Sequence, residues 1–328
     1  MATSQFTQYT SGDVGAPQLY GYTGSLINIL DYCLVTGSKW TNVHPHSFSG
    51  SFPVFGCYKQ PSGSGCTLFV NDNGPNGTAL FKEAQVTGWE TLLAMSGSVG
   101  TGSGQFPFFG QILTNGHLTV CKSATIDLTT PRPWFVFADA YTFYLFIKEG
   151  STAGAWQSLF FGDIFSYAEG DNYKCQIQGR LIDNSPTSTA DQNDTITGLT
   201  AAFTAVAQGS SGFIQRNFSG RTASPWIGKL GDMSKTTTPA AQLAMAGALP
   251  LPGLNNTLYM TPILVWEPTV IRGKMRGMYH VCHPITSFTD GQIFSGSGEF
   301  NGKSFRIISK GSNQGMWCIE ISNTLDTN

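Results

Sequence analysis

From Phe52 onward the chain runs as short stretches rich in Val, Phe, Tyr, Trp and Thr, cut by Gly, Asn, Asp and Pro at intervals of about 8–15 residues. β-branched and aromatic side chains fit a pleated, half-buried surface, and the residues between them supply turns. This texture predicts a mainly β fold made of antiparallel β-sandwich-like lobes, with one early N-terminal helix and few other short helices. Strands are expected at Thr67–Val70, Leu118–Cys121, Trp134–Ala138, Thr142–Lys148, Ser158–Phe161 and Tyr173–Leu181. More are expected at Leu258–Trp266, Val270–Gly277, Gly291–Phe294, Lys303–Ser309 and Met316–Ser322. The tract Trp134 to Ile147 reads as two strands joined at Asp139–Tyr141 and is apolar on both faces in places. Such strands belong at the centre of a sheet or beneath another subunit.

The helix is expected to start near Ser25, capped by Thr23 or Ser25, with Leu26, Ile29, Leu30, Cys33 and Leu34 at helical spacing and Gly37 as its stop. Residues 1–22 read as an extended arm: Pro17 stiffens it, and Gln5, Gln8 and Thr10 give it no core of its own. Such an arm gains order by lying across a neighbour or adding a strand to a neighbour's sheet, or else its first 12 residues are disordered. Its removal through residue 20 is expected to leave a folded subunit that no longer assembles.

At 328 residues the chain is long enough for two domains or one elaborate β domain. Ile182 to Gly212 is dominated by Asn, Ser, Thr, Gly and Ala, with Phe203 its lone aromatic, and reads as a linker or surface excursion. It separates a helix plus first β lobe (23–181) from a second β lobe (213–328). Pro239–Leu249 suits a short Ala-rich helix. The glycine-rich tracts Ser96–Gly104 and Gly291–Gly298 suit loop tips, or places where another chain's backbone comes close.

Only 12% of residues are charged, about half the usual share, while Gly reaches 39 and Phe 23. Few charges beside many aromatics describe a surface that something else will cover, which favours a subunit of an assembly. With a formal net charge of −2 and no Lys/Arg cluster, an electrostatic footprint for direct nucleic-acid binding is missing. No signal peptide and no run of about 18 apolar residues is found, so membrane insertion is not expected and synthesis in a cytoplasm is. The seven cysteines suit reduced, mostly buried thiols, although Cys57 and Cys66 flank a turn that a disulfide could close.

Signals for chemistry are weak. His280, Cys282 and His283, with His44 and His46 as distant partners, lack the paired spacing of common zinc sites, so neither metal nor cofactor is expected. No nucleophile elbow or cysteine-protease signature occurs. Asp163, Glu169 and Asp171 are the carboxylates to weigh for glycoside hydrolysis, but their Gly-rich context suits turns. Exposed Trp or Tyr could stack on sugar rings, which keeps a host-surface glycan as a possible partner.

The N-terminal run Asp13-Val14-Gly15-Ala16-Pro17-Gln18-Leu19, then Gly24-Ser25-Leu26, Leu30-Asp31, Cys33-Leu34-Val35-Thr36-Gly37 and Trp40, resembles a pattern of tailed-bacteriophage virion structural proteins. In that family an extended D-x-G-A-P-x-L arm leads into a helix ending in L-D-x-x-L-V-x-G. Arg132-Pro133-Trp134, Thr142-Phe143-Tyr144-Leu145 and Phe161-Gly162-Asp163 match the strands and the turn that follow. The likeness covers roughly residues 13–180 and is fainter from Arg272 to Phe294. It departs at Asp139-Ala140-Tyr141, where a more charged turn is expected and a charged contact is therefore in doubt.

The resemblance implies a virion structural protein without fixing its station in the particle; the leading expectation is a non-enzymatic tail- or neck-associated subunit forming a symmetric homo-oligomer with other virion structural proteins through aromatic-rich β surfaces and the arm. A head decoration or cement protein and a receptor- or polysaccharide-binding tail-tip module are the alternatives. The residues singled out are Asp13, Gly15, Pro17, Leu19, Leu26, Leu30, Leu34 and Trp40 for an assembly arm and helix, and Trp134, Phe143, Tyr144 and Phe161 for a core or interface.

Overall fold

The computed structural model describes residues 6–73, 82–96, 99–107, 117–123, 129–148, 156–179, 212–221, 226–229, 260–267, 270–281, 289, 291–309 and 316–321. Strand β1 (Thr7–Thr10) is followed by helix α1 (Ser25–Leu30), which continues as a π-helical turn over Asp31–Gly37. Next come β2 (Thr41–Asn42), β3 (Ser47–Ser49), β4 (Phe52–Lys59), β5 (Thr67–Asn71), β6 (Lys82–Ser96), β7 (Val99–Phe106) and β8 (Leu118–Ser123). Then follow β9 (Trp134–Ala138), β10 (Thr142–Lys148), β11 (Trp156–Asp163), β12 (Phe165–Ser166), β13 (Cys175–Gln178) and β14 (Gly212–Ile214). The C-terminal part holds β15 (Trp226–Lys229), β16 (Met260–Glu267), β17 (Val270–Val281), β18 (Ile293–Ser295), β19 (Ser304–Ser309) and β20 (Met316–Glu320). The fold is mainly β with one early helix, as the strand texture predicts, and its described pairings are antiparallel.

These strands make three sheets. The central one has the order β1-β9-β10-β11-β13-β14. One face of it, with Val136, Phe143, Leu145, Leu159, Phe161 and Ile177, packs on α1 and on the inner face of the β2–β8 sheet. The other face, with Phe137, Tyr144, Phe146 and Phe160, packs on Ile263, Val265, Met275, Trp317 and Ile319 of the β15–β20 sheet. Successive strand residues point to opposite faces, so a strand covered on both sides must be apolar at every position. That is why Trp134–Ile147 shows no polar alternation. The cover comes from the same chain on both sides.

Two strand pairings cross the compositional boundary at 182–212. β14 pairs with β13 in the central sheet, and β12 pairs with β17 in the C-terminal sheet. Together with the shared core, these join the regions on either side of that boundary by hydrogen bonds as well as by packing. Most of 182–212, and all of Pro239–Leu249, lie outside the described residues.

The arm differs from its expected role. β1 adds to β9 of its own chain, with Thr7 opposite Ala138 and Thr10 opposite Phe135. Phe6 is buried against Tyr144, ring edge to face at 5.6 Å. The polar residues of this segment carry no core and so predict order on a neighbour or else disorder; the structure supplies the core from β9 and β10 of the same chain.

The helix also differs in detail. Gly24 precedes it with φ 83° and no side-chain cap. The Leu26 N–H instead donates to Asp72, 46 residues away, while Ser25 Oγ donates to the Tyr20 carbonyl. At the far end Gly37 is needed for space: a Cβ there would lie 2.0 Å from the Tyr9 hydroxyl. The left-handed residue that turns the chain is Lys39, φ 63°. The glycine tract Ser96–Gly104 is largely strand β7, where a Cβ on Gly102 would meet the Thr91 carbonyl at 2.0 Å. The close backbone approach expected from another chain comes from β6.

Candidate functional site

The residues that carry the family resemblance are separated by up to about 150 positions; Leu19, Trp40, Trp134, Phe143, Leu145 and Phe161 meet on one face of the central sheet, while Tyr144 lies on the other. Leu19, fully buried, bridges Arg132, whose N–H donates to the Leu19 carbonyl at 2.8 Å. Trp134 donates its indole N–H to the Pro17 carbonyl at 3.1 Å. Trp40 lies against the rings of Phe143 and Phe161, at 5.6 and 6.0 Å, and donates to the Asp139 carbonyl at 2.7 Å. Leu26, Leu30 and Leu34 of the helix are buried in the same cluster. Each indole has its single donor paired, as a buried Trp requires.

Of the residues singled out, Asp13 and Gly15 stay exposed, in a turn where the Ala16 N–H donates to the Asp13 carbonyl and Gly15 takes φ 81°. Asp13 also accepts from the Thr10 N–H and hydroxyl at 2.7 and 2.8 Å, which ties the turn to the end of β1. Trp134, Phe143, Tyr144 and Phe161 are all fully buried and belong to the core.

Sequence reasoning missed a set of buried ion pairs that hold the layers in register. Arg272 on β17 grips Asp171 with two donors, Nε at 2.8 Å and Nη2 at 2.6 Å, and also reaches the Tyr173 carbonyl. Burial pushes the Asp171 carboxyl up, but Arg272, the Ser166 hydroxyl and the Tyr173 N–H outweigh it and hold it below the usual range. Four residues on, Arg276 pairs with Asp139 at 2.9 Å and lies over the Tyr141 ring at 4.8 Å. Asp139 in turn accepts the N–H groups of Tyr141 and Thr142, both at 2.7 Å, which closes the β9–β10 turn. The charged contact placed in doubt at Asp139–Tyr141 is therefore made, by a cation from the C-terminal sheet. The signal for it was a run of cations, Arg272, Lys274 and Arg276, at alternate positions of one strand.

Asp72, fully buried, pairs with Lys122, which also donates to the Tyr22 carbonyl. Burial still raises the Asp72 carboxyl despite that cation. Asp163 is buried as well and accepts from Gln60 Nε2 at 3.1 Å and the Ser64 N–H at 3.0 Å; burial raises its carboxyl too. Asp163 and Asp171 are thus occupied by structural donors, while Glu169 is exposed. Glu90 and Arg216 form a further pair joining β6 to the segment after β14.

His46 contacts Asp31 at 2.9 Å, and Tyr58 donates to the same carboxylate at 3.0 Å. His44 lies apart, 3.5 Å from the Leu92 carbonyl. Cys282 and His283 fall outside the described residues, as does the side chain of His280. No group of three or more metal-ligating side chains occurs among the described residues. No described helix is long and apolar enough to cross a membrane.

No protein-family model matches the chain, and no curated protein matches its sequence.

Proposed function

We propose that this chain is a non-enzymatic structural subunit of a tailed-phage virion, tail- or neck-associated and working in a symmetric homo-oligomer with other virion proteins. The observation that carries the reading is the convergence just described: the arm, the helix and the later strand motifs of the family pattern pack on one another as a single unit. That residues scattered over 13–163 meet in the fold supports reading them as one structural pattern. The low charge content and the exposed Phe48, Phe52, Leu93, Val270, Ile271 and Ile293 suit a surface that neighbours cover. Because the central aromatics are enclosed within the chain, contacts to neighbours fall to those outer side chains and the strand edges.

The test is to separate heads from tails of purified particles and assay each by mass spectrometry. Recovery in the tail or neck fraction is expected. Recovery in heads alone would replace this reading with the decoration-protein one, and absence from both would remove the virion assignment.

A further inference from the structure

We infer that Cys66 and Cys175 form a redox-sensitive latch: a thiol pair that an oxidising disulfide converts into a covalent tie between the β2–β8 sheet and the central sheet. Cys66 immediately precedes β5, and Cys175 opens β13. Two routes place them together. The Cys66 N–H donates to Gln60 Oε1 at 2.9 Å, Gln60 Nε2 reaches Asp163 at 3.1 Å, and Asp163 sits directly opposite Cys175 in the β11–β13 ladder. Directly opposed residues of an antiparallel pair project to the same face. The Asp163 side chain projects to the 60–66 turn, so Cys175 does also. Second, both thiols are fully buried in the same core cluster, and the neighbouring Cys66 thiol adds to burial in raising that of Cys175.

The arrangement displaces the pairing that chain proximity suggested. Cys57, on the outer face of the same sheet, donates instead to the Met95 sulfur at 3.0 Å and belongs to a different apolar cluster. Burial pushes the Cys175 thiol well above its ordinary value, which keeps it protonated and inert while the fold is closed. Cys66 is itself buried, but it closes the 60–66 turn, whose Pro61 and Gly63 are exposed, so local opening of that turn brings its thiol to an oxidant before that of Cys175.

The exchange balances with a small-molecule disulfide as oxidant. The Cys66 thiolate attacks one sulfur of that disulfide, forming a mixed disulfide and releasing one thiolate. Cys175, on losing its proton, attacks the Cys66 sulfur and releases the second. The protein loses two hydrogens, and the small molecule is reduced to two thiols.

The experiment incubates the folded chain with oxidised glutathione, blocks remaining thiols with N-ethylmaleimide in denaturant, and maps disulfides by peptide mass spectrometry. A Cys66–Cys175 cross-linked peptide is expected, with a melting temperature raised by roughly 5 °C and restored by dithiothreitol. Cys175→Ser should abolish the cross-link and leave glutathione on Cys66. A Cys57–Cys66 cross-link, or full blocking of both Cys66 and Cys175 after long oxidation, would overturn the inference. The wild-type map decides this even where the variant does not fold.

Discussion

Arg276 carries a full charge into a region sealed by two sheets, and that makes it more vulnerable to losing one partner than to losing both. Replacing Arg276 with Met alone leaves the Asp139 carboxylate buried without its counter-ion; unfolding in denaturant should show a loss of about 3–5 kcal/mol. Combining Arg276→Met with Asp139→Asn keeps an acceptor for the turn N–H groups and removes the charge, and should recover much of that loss. Full additivity of the two single losses would argue against a direct pair. His46 makes a second prediction. Its hydrogen bond to Asp31 raises its folded value above the ordinary 6.5, so this contribution to stability is complete below that value. It fades as pH rises through the raised folded value. Stability measured from pH 5 to 9 should therefore fall over that window in the parent, and His46→Gln should flatten this component. Neither partnership was legible in the sequence, because Asp31 and His46 are joined by a fold that brings β3 and β4 beside the helix, and Arg276 meets Asp139 across 137 positions.

At the scale of elements, what could be read was whatever local chemistry alone decides. The spans Trp134–Ala138 and Thr142–Lys148 were predictable to the residue, since Asp139 turns the chain and both strands are continuous apolar runs. Lys82–Ser96 and Val99–Phe106 were not, because polar and glycine positions dilute their apolar pattern, although Ala84, Val86, Trp89, Leu92 and Phe106 are buried. β1 escaped for a different reason. Its four residues have no apolar run, and its order comes from β9, more than 120 residues downstream. Two predictions belong here. Phe6→Ala should cost about 3–5 kcal/mol of stability, as for a buried aromatic, where a free arm would lose nothing measurable. Gly37→Ala must push aside the Tyr9 ring, and should lower stability by about 1–3 kcal/mol even though alanine is the better helix former. By the same logic, removing residues 1–20 takes Leu19 and β1 out of the fold. The truncated chain is expected to be destabilised as a monomer before any question of assembly arises.

For the whole molecule, the three stacked sheets explain how so few charges suffice inside: the layer interfaces are largely apolar, and two of the buried ionic contacts, Arg272–Asp171 and Arg276–Asp139, sit where β17 crosses onto the earlier part of the chain. A protease cut within 182–211 should therefore leave the two pieces migrating as one species in native size-exclusion chromatography. Separation without denaturant would show that the β13–β14 and β12–β17 pairings do not hold them. The link from Gln8 to Arg306, at 3.1 Å, spans 298 positions and has a consequence for the order of events in synthesis. The ribosome delivers every strand of the central sheet, from β1 to β14, before β16, β17, β19 and β20, so that sheet waits with one apolar face uncovered until those later strands emerge. A chain interrupted before residue 260 would carry that bare face permanently, and would be a substrate for chaperones and proteases rather than for assembly.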